Sequence, residues 1–182
     1  MLDILFIQPW DRPWDDRASV IRRRRMAISR AQFEVGLQVP DAYSFACLDL
    51  NLALRSNDGT CIEDLVGSAL AAYHPAVILC SWPAFVLGGQ MKRILSAIVR
   101  SGQRPQVVLG GSAVGLVHDL PMRWWPTLTC CSNGYGGELP DILSACLARK
   151  RLNIPGVYWR DEGATWRPQR GAVRLPDDYR SR

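Results

Sequence analysis

The stretch QVVLGG, residues 106–111, is a short apolar run that ends abruptly at two glycines. An unbroken apolar run of this length is typical of a strand buried on both faces of a parallel sheet. A half-exposed strand would instead alternate polar and apolar residues. Glycines after such a strand let a ligand approach the backbone closely, because they carry no side chain. The stretch therefore predicts a parallel sheet with a ligand site at its carboxyl edge.

Four further stretches have the same apolar character and alternate with segments of helical periodicity. The predicted strands lie in DILFIQP (3–9), AYSFACLDL (42–50), AVILCS (76–81) and TLTCCS (127–132). The predicted helices cover residues 17–33, 61–73, 85–100 and 138–150. Thr60 followed by Glu63 predicts a capping box at the start of the second helix. This βα alternation predicts a Rossmann-like, flavodoxin-like α/β fold with five parallel strands in the order 2-1-3-4-5.

The βα rhythm stops at residue 151, which divides the chain into two predicted parts. Residues 1–150 form the sheet domain, and residues 151–182 form a β-hairpin and a linker-like tail. The stretch IPGVYWRDEGATWRPQ predicts the hairpin, with its turn at Asp161–Gly163.

Composition narrows the class of protein. The 182 residues are 48% hydrophobic and 21% charged, as expected of a globular domain, and the net charge of +5 is too small to indicate a nucleic-acid partner. No apolar run is long enough to span a membrane, and the amino terminus lacks the pattern of a signal peptide. The six cysteines show no CxxC spacing and are expected to be reduced, mostly buried thiols of a cytoplasmic protein.

The ends of the predicted strands supply the candidate binding residues, because ligands of such sheets bind beyond the carboxyl ends of the strands. These residues are Pro9 and Trp10; Ser81 and Trp82; Gly110, Gly111 and Ser112; and Gly134, Tyr135, Gly136 and Gly137. No GxGxxG, P-loop or GxSxG motif is present, and the third strand ends without the aspartate that a phosphate-accepting receiver domain needs. The sequence thus indicates a binding module without catalytic residues of its own.

The order of five motifs along the chain resembles a known family. ILFIQP, VILCS, VVLGG, GYGGELPDIL and IPGVYWRDEG follow one another as in the N-terminal cobalamin-binding domain of B12-dependent radical SAM proteins. The resemblance covers about residues 2–180. It implies a cobalamin cofactor and a radical SAM protein or domain as the partner. S-adenosylmethionine and a [4Fe–4S] cluster would belong to that partner, and the joint reaction would be methyl transfer or a radical rearrangement.

The resemblance also assigns roles to the candidate residues. Cobalamin is a wide disc rimmed with amides and carrying a nucleotide tail, so it needs a broad platform with exposed backbone amides. The glycines would allow close approach, and Glu138 would extend the fifth strand's loop. The apolar contact faces would be Trp10, Trp82 and Tyr135. The tail would run toward Ser81 and Gly110–Ser112. No Asp-x-His-x-x-Gly motif is present, so no histidine of this domain is assigned to cobalt.

Two other functions stay open at this stage. The chain could be a cofactor-free adapter that keeps the B12 fold and stabilises or regulates a radical SAM partner. That function is favoured by the loop after the fifth strand, which reads Gly134-Tyr135-Gly136-Gly137 where the family typically has GEGE, and by the pair Trp124–Trp125. It could also be a flavodoxin-like binder of a flavin or another nucleotide, although no Ser/Thr-rich phosphate loop follows the first strand.

Overall fold

The computed structural model describes residues 1–9, 35–51, 53, 60–83, 87–117, 120–132 and 137–160. The helix predicted over residues 17–33 and the hairpin turn at Asp161–Gly163 lie outside these ranges.

In the part of the chain that the structure describes, a six-stranded sheet forms the centre of the fold. Its strands are β1 (Ile4–Gln8), β2 (Phe45–Asp49), β3 (Val77–Ser81), β4 (Gln106–Gly110), β5 (Cys130–Ser132) and β6 (Val157–Trp159). They lie in the order β2-β1-β3-β4-β5-β6. The neighbouring pairs from β2 to β5 are parallel, whereas β6 pairs with β5 in the antiparallel direction.

The mostly parallel α/β sheet confirms the predicted fold class, but the predicted count of five strands is wrong. The first strand of the predicted hairpin joins the main sheet as β6, with Cys130 opposite Trp159 and Ser132 opposite Val157. The physical reason is burial: Val157 and Trp159 both point into the core cluster that also contains Cys130. A separate hairpin would leave those two apolar side chains without a partner surface.

Helices cover both faces of the sheet. Within the described ranges they include α1 (Ile62–Tyr73), α2 (Gly88–Arg100), α3 (Ser112–Val117), α4 (Leu120–Trp124) and α5 (Leu139–Leu147). Successive side chains of a strand point to opposite faces. Accordingly, Leu5 and Ile7 pack with α1 to α4 on one face, whereas Ile4 and Phe6 pack with α5 on the other. The double coverage explains why the strands lack polar alternation.

The predicted capping box at α1 is wrong. The N-cap residue is Cys61, and its side chain makes no capping hydrogen bond. The Glu63 carboxylate, which a capping box would turn back toward the helix start, instead accepts two hydrogen bonds from Arg93 of α2, at 2.7 and 2.5 Å. A tertiary ion pair has therefore replaced the local cap.

Candidate functional site

The carboxyl ends of β3 and β4 are tied together by short hydrogen bonds. The Trp82 N–H donates to the Gly110 carbonyl at 2.7 Å, and the Ala113 N–H donates to the Trp82 carbonyl at 3.1 Å. The Ser112 hydroxyl donates to the Pro83 carbonyl at 2.7 Å. Two adjacent predicted strand ends thus form one rigid rim, and the structure brings Ser81, Gly110, Gly111 and Ser112 together there.

The fold itself requires a glycine at position 111. Its φ of +120° is a conformation that L side chains rarely adopt, and a Cβ there would lie 2.7 Å from the Trp82 carbonyl oxygen. The close approach therefore serves the packing of the two strand ends. Gly137, on the loop that leads into α5, is different because a Cβ there would meet no atom within 4 Å.

Trp82 points into the protein from this rim. Its side chain is 1% exposed and makes edge-on contacts with Trp125 and Trp124, with ring centroids 5.2 and 6.4 Å away. These three residues are called the tryptophan cluster below. Trp82 therefore offers almost no surface to a ligand in this arrangement, and its predicted contact with a ligand stays a prediction. Trp124, in contrast, is 49% exposed.

Arg160 holds the segment that carries the tryptophan cluster. Its Nε donates to the Leu128 carbonyl at 2.9 Å, and its Nη2 donates to the carbonyls of Met122 and Trp125. The end of a helix leaves carbonyls without intrahelical partners, so a guanidinium is well suited to this position at the end of α4. Burial lowers the pKa of the Arg160 guanidinium. The residue after β6 thus anchors the tryptophan cluster to the sheet.

Three buried polar side chains lie in one row across the carboxyl edge of the sheet. Gln8, Ser81 and Ser132 are the buried polar side chains of the described residues, and we call them the polar row. The register places Gln8 one step beyond the Ile7–Cys80 pair and Ser132 one step beyond Leu109–Cys131. Gly110 lies opposite Ser81 and fills the β4 position without a side chain. By alternation, all three side chains point to the face covered by α5.

Gln8 and Ser132 were not among the predicted site residues. Each is the polar residue that closes an apolar strand, in ILFIQ and in TLTCCS. That signal was available in the sequence, but only the register shows that the two positions share one row with Ser81.

Gln8 has an unsatisfied acceptor within the row. Its side-chain oxygen Oε1 is buried and has no hydrogen-bond partner among the described residues. Buried polar atoms without a partner are rare and destabilising in folded proteins.

The end of β1 is joined to the end of β2 beside Gln8. The Asn51 side-chain amide donates to the Pro9 carbonyl at 3.2 Å, and the Asn51 N–H donates to the Asp49 carboxylate at 2.8 Å. Pro9, a predicted site residue, therefore serves as a backbone acceptor at this edge.

The fifth strand's loop is described only in part. Gly137 and Glu138 directly precede α5, and the Glu138 carbonyl accepts the Ile142 N–H at 3.0 Å. The predicted site residues Trp10, Gly134, Tyr135 and Gly136 lie outside the described residues.

Three of the described cysteines do not provide an activated thiol. Burial raises the pKa of Cys80 to about 12 and that of Cys130 well above its usual value. A hydrogen bond to the Asp64 carboxylate raises the pKa of Cys61. Thiols with raised pKa values are poor nucleophiles and poor metal ligands at neutral pH. In the described ranges, no three His, Cys, Asp or Glu side chains are grouped so that they could hold a metal ion.

A cavity of about 670 Å³ lies away from the polar row, between α1 and α2. Its lining includes Glu63, Asp64, Gly67 and Arg100. None of the predicted site residues contributes to it, so we assign the candidate site to the carboxyl edge on the basis of topology.

The sheet order defines a Rossmann-like α/β fold, a fold whose ligands usually bind beyond the carboxyl ends of the strands. Among solved structures, the chain is similar to the radical S-adenosylmethionine methyltransferase TsrM from Kitasatospora setae, which was solved with its tryptophan substrate and a SAM analogue. The TM-score is 0.65 at 17% sequence identity, and the match covers 90% of this chain but 29% of TsrM. At this identity the similarity establishes the fold alone.

No protein-family model matches the sequence. A search of curated proteins also gave no match. No helix in the described part of the chain is long and apolar enough to cross a membrane.

Proposed function

We propose that the chain is a cobalamin-binding module that works with a radical SAM protein or domain. The observation that carries the proposal is the fold match, in which 90% of this chain superposes on 29% of a radical SAM methyltransferase. The order of sequence motifs resembles cobalamin-binding domains of the same class of enzyme, and this supports the proposal independently. The reaction of the assembled enzyme would be methyl transfer or a radical rearrangement, with S-adenosylmethionine and the iron–sulfur cluster on the partner.

The residues at the carboxyl edge fit such a cofactor. Cobalamin is rich in amide and hydroxyl donors, and the buried Gln8 Oε1 is an acceptor without a partner among the described residues. Ser81 and the Gly110–Ser112 turn would hold the nucleotide tail, and Gly137 and Glu138 would border the disc. Cobalamin supplies a cobalt centre for the transfer, and the protein binds, orients and shields it.

A second function is favoured by a different observation. Leu116 of α3 is 73% exposed, and Trp124 of α4 is 49% exposed. The two helices contact each other, and exposed large apolar side chains are common in protein interaction surfaces. A cofactor-free adapter would use the same fold to stabilise a radical SAM partner.

Retention of the cofactor distinguishes the two functions. The purified chain is mixed with hydroxocobalamin, desalted, and scanned in the visible range. We expect corrin absorbance to remain with the protein. A blank spectrum contradicts the cobalamin proposal, and a blank spectrum with a co-purifying radical SAM protein supports the adapter.

A glycine variant tests whether the cofactor binds at the carboxyl edge. Gly111 is unsuitable because a side chain there would meet the Trp82 backbone, so loss of binding would not be specific. Gly137→Leu adds bulk where a Cβ meets no atom within 4 Å, and Gly67→Leu does the same on α1 as a matched control. We expect retention to fall in Gly137→Leu alone. Equal retention in both variants would contradict the placement of the disc beside Gly137.

A further inference from the structure

We infer that Gln8 is a specificity-determining residue of the candidate site, whose Oε1 accepts a hydrogen bond from an N–H or O–H group of the bound cofactor. The inference rests on the proposed function and names a residue that would recognise the cofactor by a hydrogen bond. It starts from an atom that the described part of the protein leaves unsatisfied.

The surroundings of Gln8 explain why its acceptor is unsatisfied. The side chain is 2% exposed, so water has little access to it. Its register partner on β2 is Asp49, whose carboxylate is itself an acceptor and already receives the Asn51 N–H. Because the Asp49 carboxylate cannot donate a hydrogen bond to Gln8 Oε1, the donor must come from another group.

The position of Gln8 favours a ligand as that donor. Gln8 is the last residue of β1, at the carboxyl edge where sheets of this topology bind ligands. It shares its face and level with Ser81 and Ser132, so the unsatisfied oxygen belongs to the polar row and is not an isolated defect in the core. Proteins commonly tolerate such local instability at functional sites.

Two parts of cobalamin carry suitable donors. The corrin rim carries primary amides, and the nucleotide tail carries a ribose hydroxyl. Cobinamide keeps the rim amides and lacks the nucleotide tail, so comparing the two corrins separates these sources.

The test measures corrin affinity and the stability of the ligand-free protein together. Hydroxocobalamin and cobinamide are titrated by visible absorbance into the wild type, Gln8→Met, and the matched control Gln106→Met. Gln106 begins β4 at the opposite edge of the sheet. Methionine has a similar length to glutamine but lacks the amide, so it removes the acceptor with little change in volume.

We expect Gln8→Met to weaken cobalamin binding by about tenfold or more, the usual effect of losing a buried hydrogen bond, while Gln106→Met binds like the wild type. The ligand-free Gln8→Met protein should melt at the same temperature as the wild type or higher, because an unsatisfied acceptor has been removed. A tenfold loss for cobalamin and cobinamide alike would identify a rim amide as the donor. A loss confined to cobalamin would identify the tail.

Two results overturn the inference and leave the proposed function intact. The first is equal cobalamin affinity in the wild type and Gln8→Met. The second is a lower melting temperature of ligand-free Gln8→Met, which would show that Oε1 has a partner in the folded chain. A wild type that retains no corrin is a different failure, since it ends the proposed function and the inference together.

A second pair of variants keeps the inference testable if Gln8→Met does not fold. Gln8→Asn keeps an acceptor oxygen without adding a second carboxylate opposite Asp49. It should bind cobalamin more tightly than the Gln8→Leu variant, whose apolar side chain has nearly the same shape. Weaker binding than in Gln8→Leu would contradict the acceptor role.

Discussion

The Cβ position of Gly111 lies 2.7 Å from the carbonyl oxygen of Trp82, closer than real Cβ atoms approach backbone. That carbonyl also accepts the Ala113 N–H, so it cannot move away without breaking a hydrogen bond. The ends of β3 and β4 therefore depend on each other through a residue with no side chain.

We expect Gly111→Ala to destabilise the fold by about 1–3 kcal/mol, because it combines a backbone conflict with a φ that alanine adopts at a cost. Urea unfolding of the ligand-free protein measures the change. Unchanged stability would mean that the two strand ends can separate freely.

Gly67→Ala is the matched variant for which we expect the opposite effect on stability to that of Gly111→Ala. Gly67 lies in the middle of α1, and a Cβ there meets no atom within 4 Å. Alanine should stabilise the protein by about 0.5–1 kcal/mol, because glycine loses more backbone entropy in a helix. The same urea assay checks it, and a loss of stability would show that the cavity beside α1 has less room than the structure indicates.

The Glu63–Arg93 ion pair predicts a pH dependence. Hydrogen bonds from Arg93 lower the pKa of Glu63 from 4.5 to about 2. A carboxyl whose folded pKa is lowered stabilises the fold above its unfolded pKa, and this contribution is lost as the pH falls through the folded pKa. Glu63→Gln should therefore be less stable than the wild type above pH 4.5, with the difference vanishing toward pH 2.

The size of that difference is limited by solvent. The Arg93 side chain is 47% exposed, so we expect less than about 1 kcal/mol at neutral pH. Thermal unfolding at several pH values measures it. Asp41→Asn, which removes a carboxylate from the exposed loop before β2, is the control variant. A stability difference between Glu63→Gln and the wild type that grows toward pH 2 would contradict the assignment.

Arg160→Met should destabilise the protein by about 1.5–3 kcal/mol and loosen the tryptophan cluster. The variant leaves the carbonyls of Met122, Trp125 and Leu128 without their charged donor. Near-ultraviolet circular dichroism should lose tryptophan signal before the far-ultraviolet signal changes. Arg104→Met, at an exposed position before β4, is the control. Equal spectra for the two variants would rule out the anchoring role.

The strands could be predicted from sequence because their burial on both faces leaves uninterrupted apolar runs. The topology places the ends of β1, β3, β4 and β5 side by side, and ligand binding at this edge stays a prediction. The division of the chain at residue 150 stays a prediction. So does the ligand role of each predicted site residue.

The features that could not be predicted from the sequence depend on contacts between residues far apart in the chain. Trp82 looked available to a ligand, but its burial depends on Trp124 and Trp125, more than forty residues later in the chain. Thr60 and Glu63 had the local pattern of a cap, but Arg93 on the next helix binds the carboxylate. The strand β6 joined the sheet because β5 offered an unpaired edge.

Arg160 couples the edge of the sheet mechanically to the turn after α4. Its backbone N–H donates to the Thr129 carbonyl next to β5, and its guanidinium donates to the carbonyls of that turn. A displacement of the backbone at Arg160 would therefore move the segment that carries Trp124 and Trp125 before it strained the central strands.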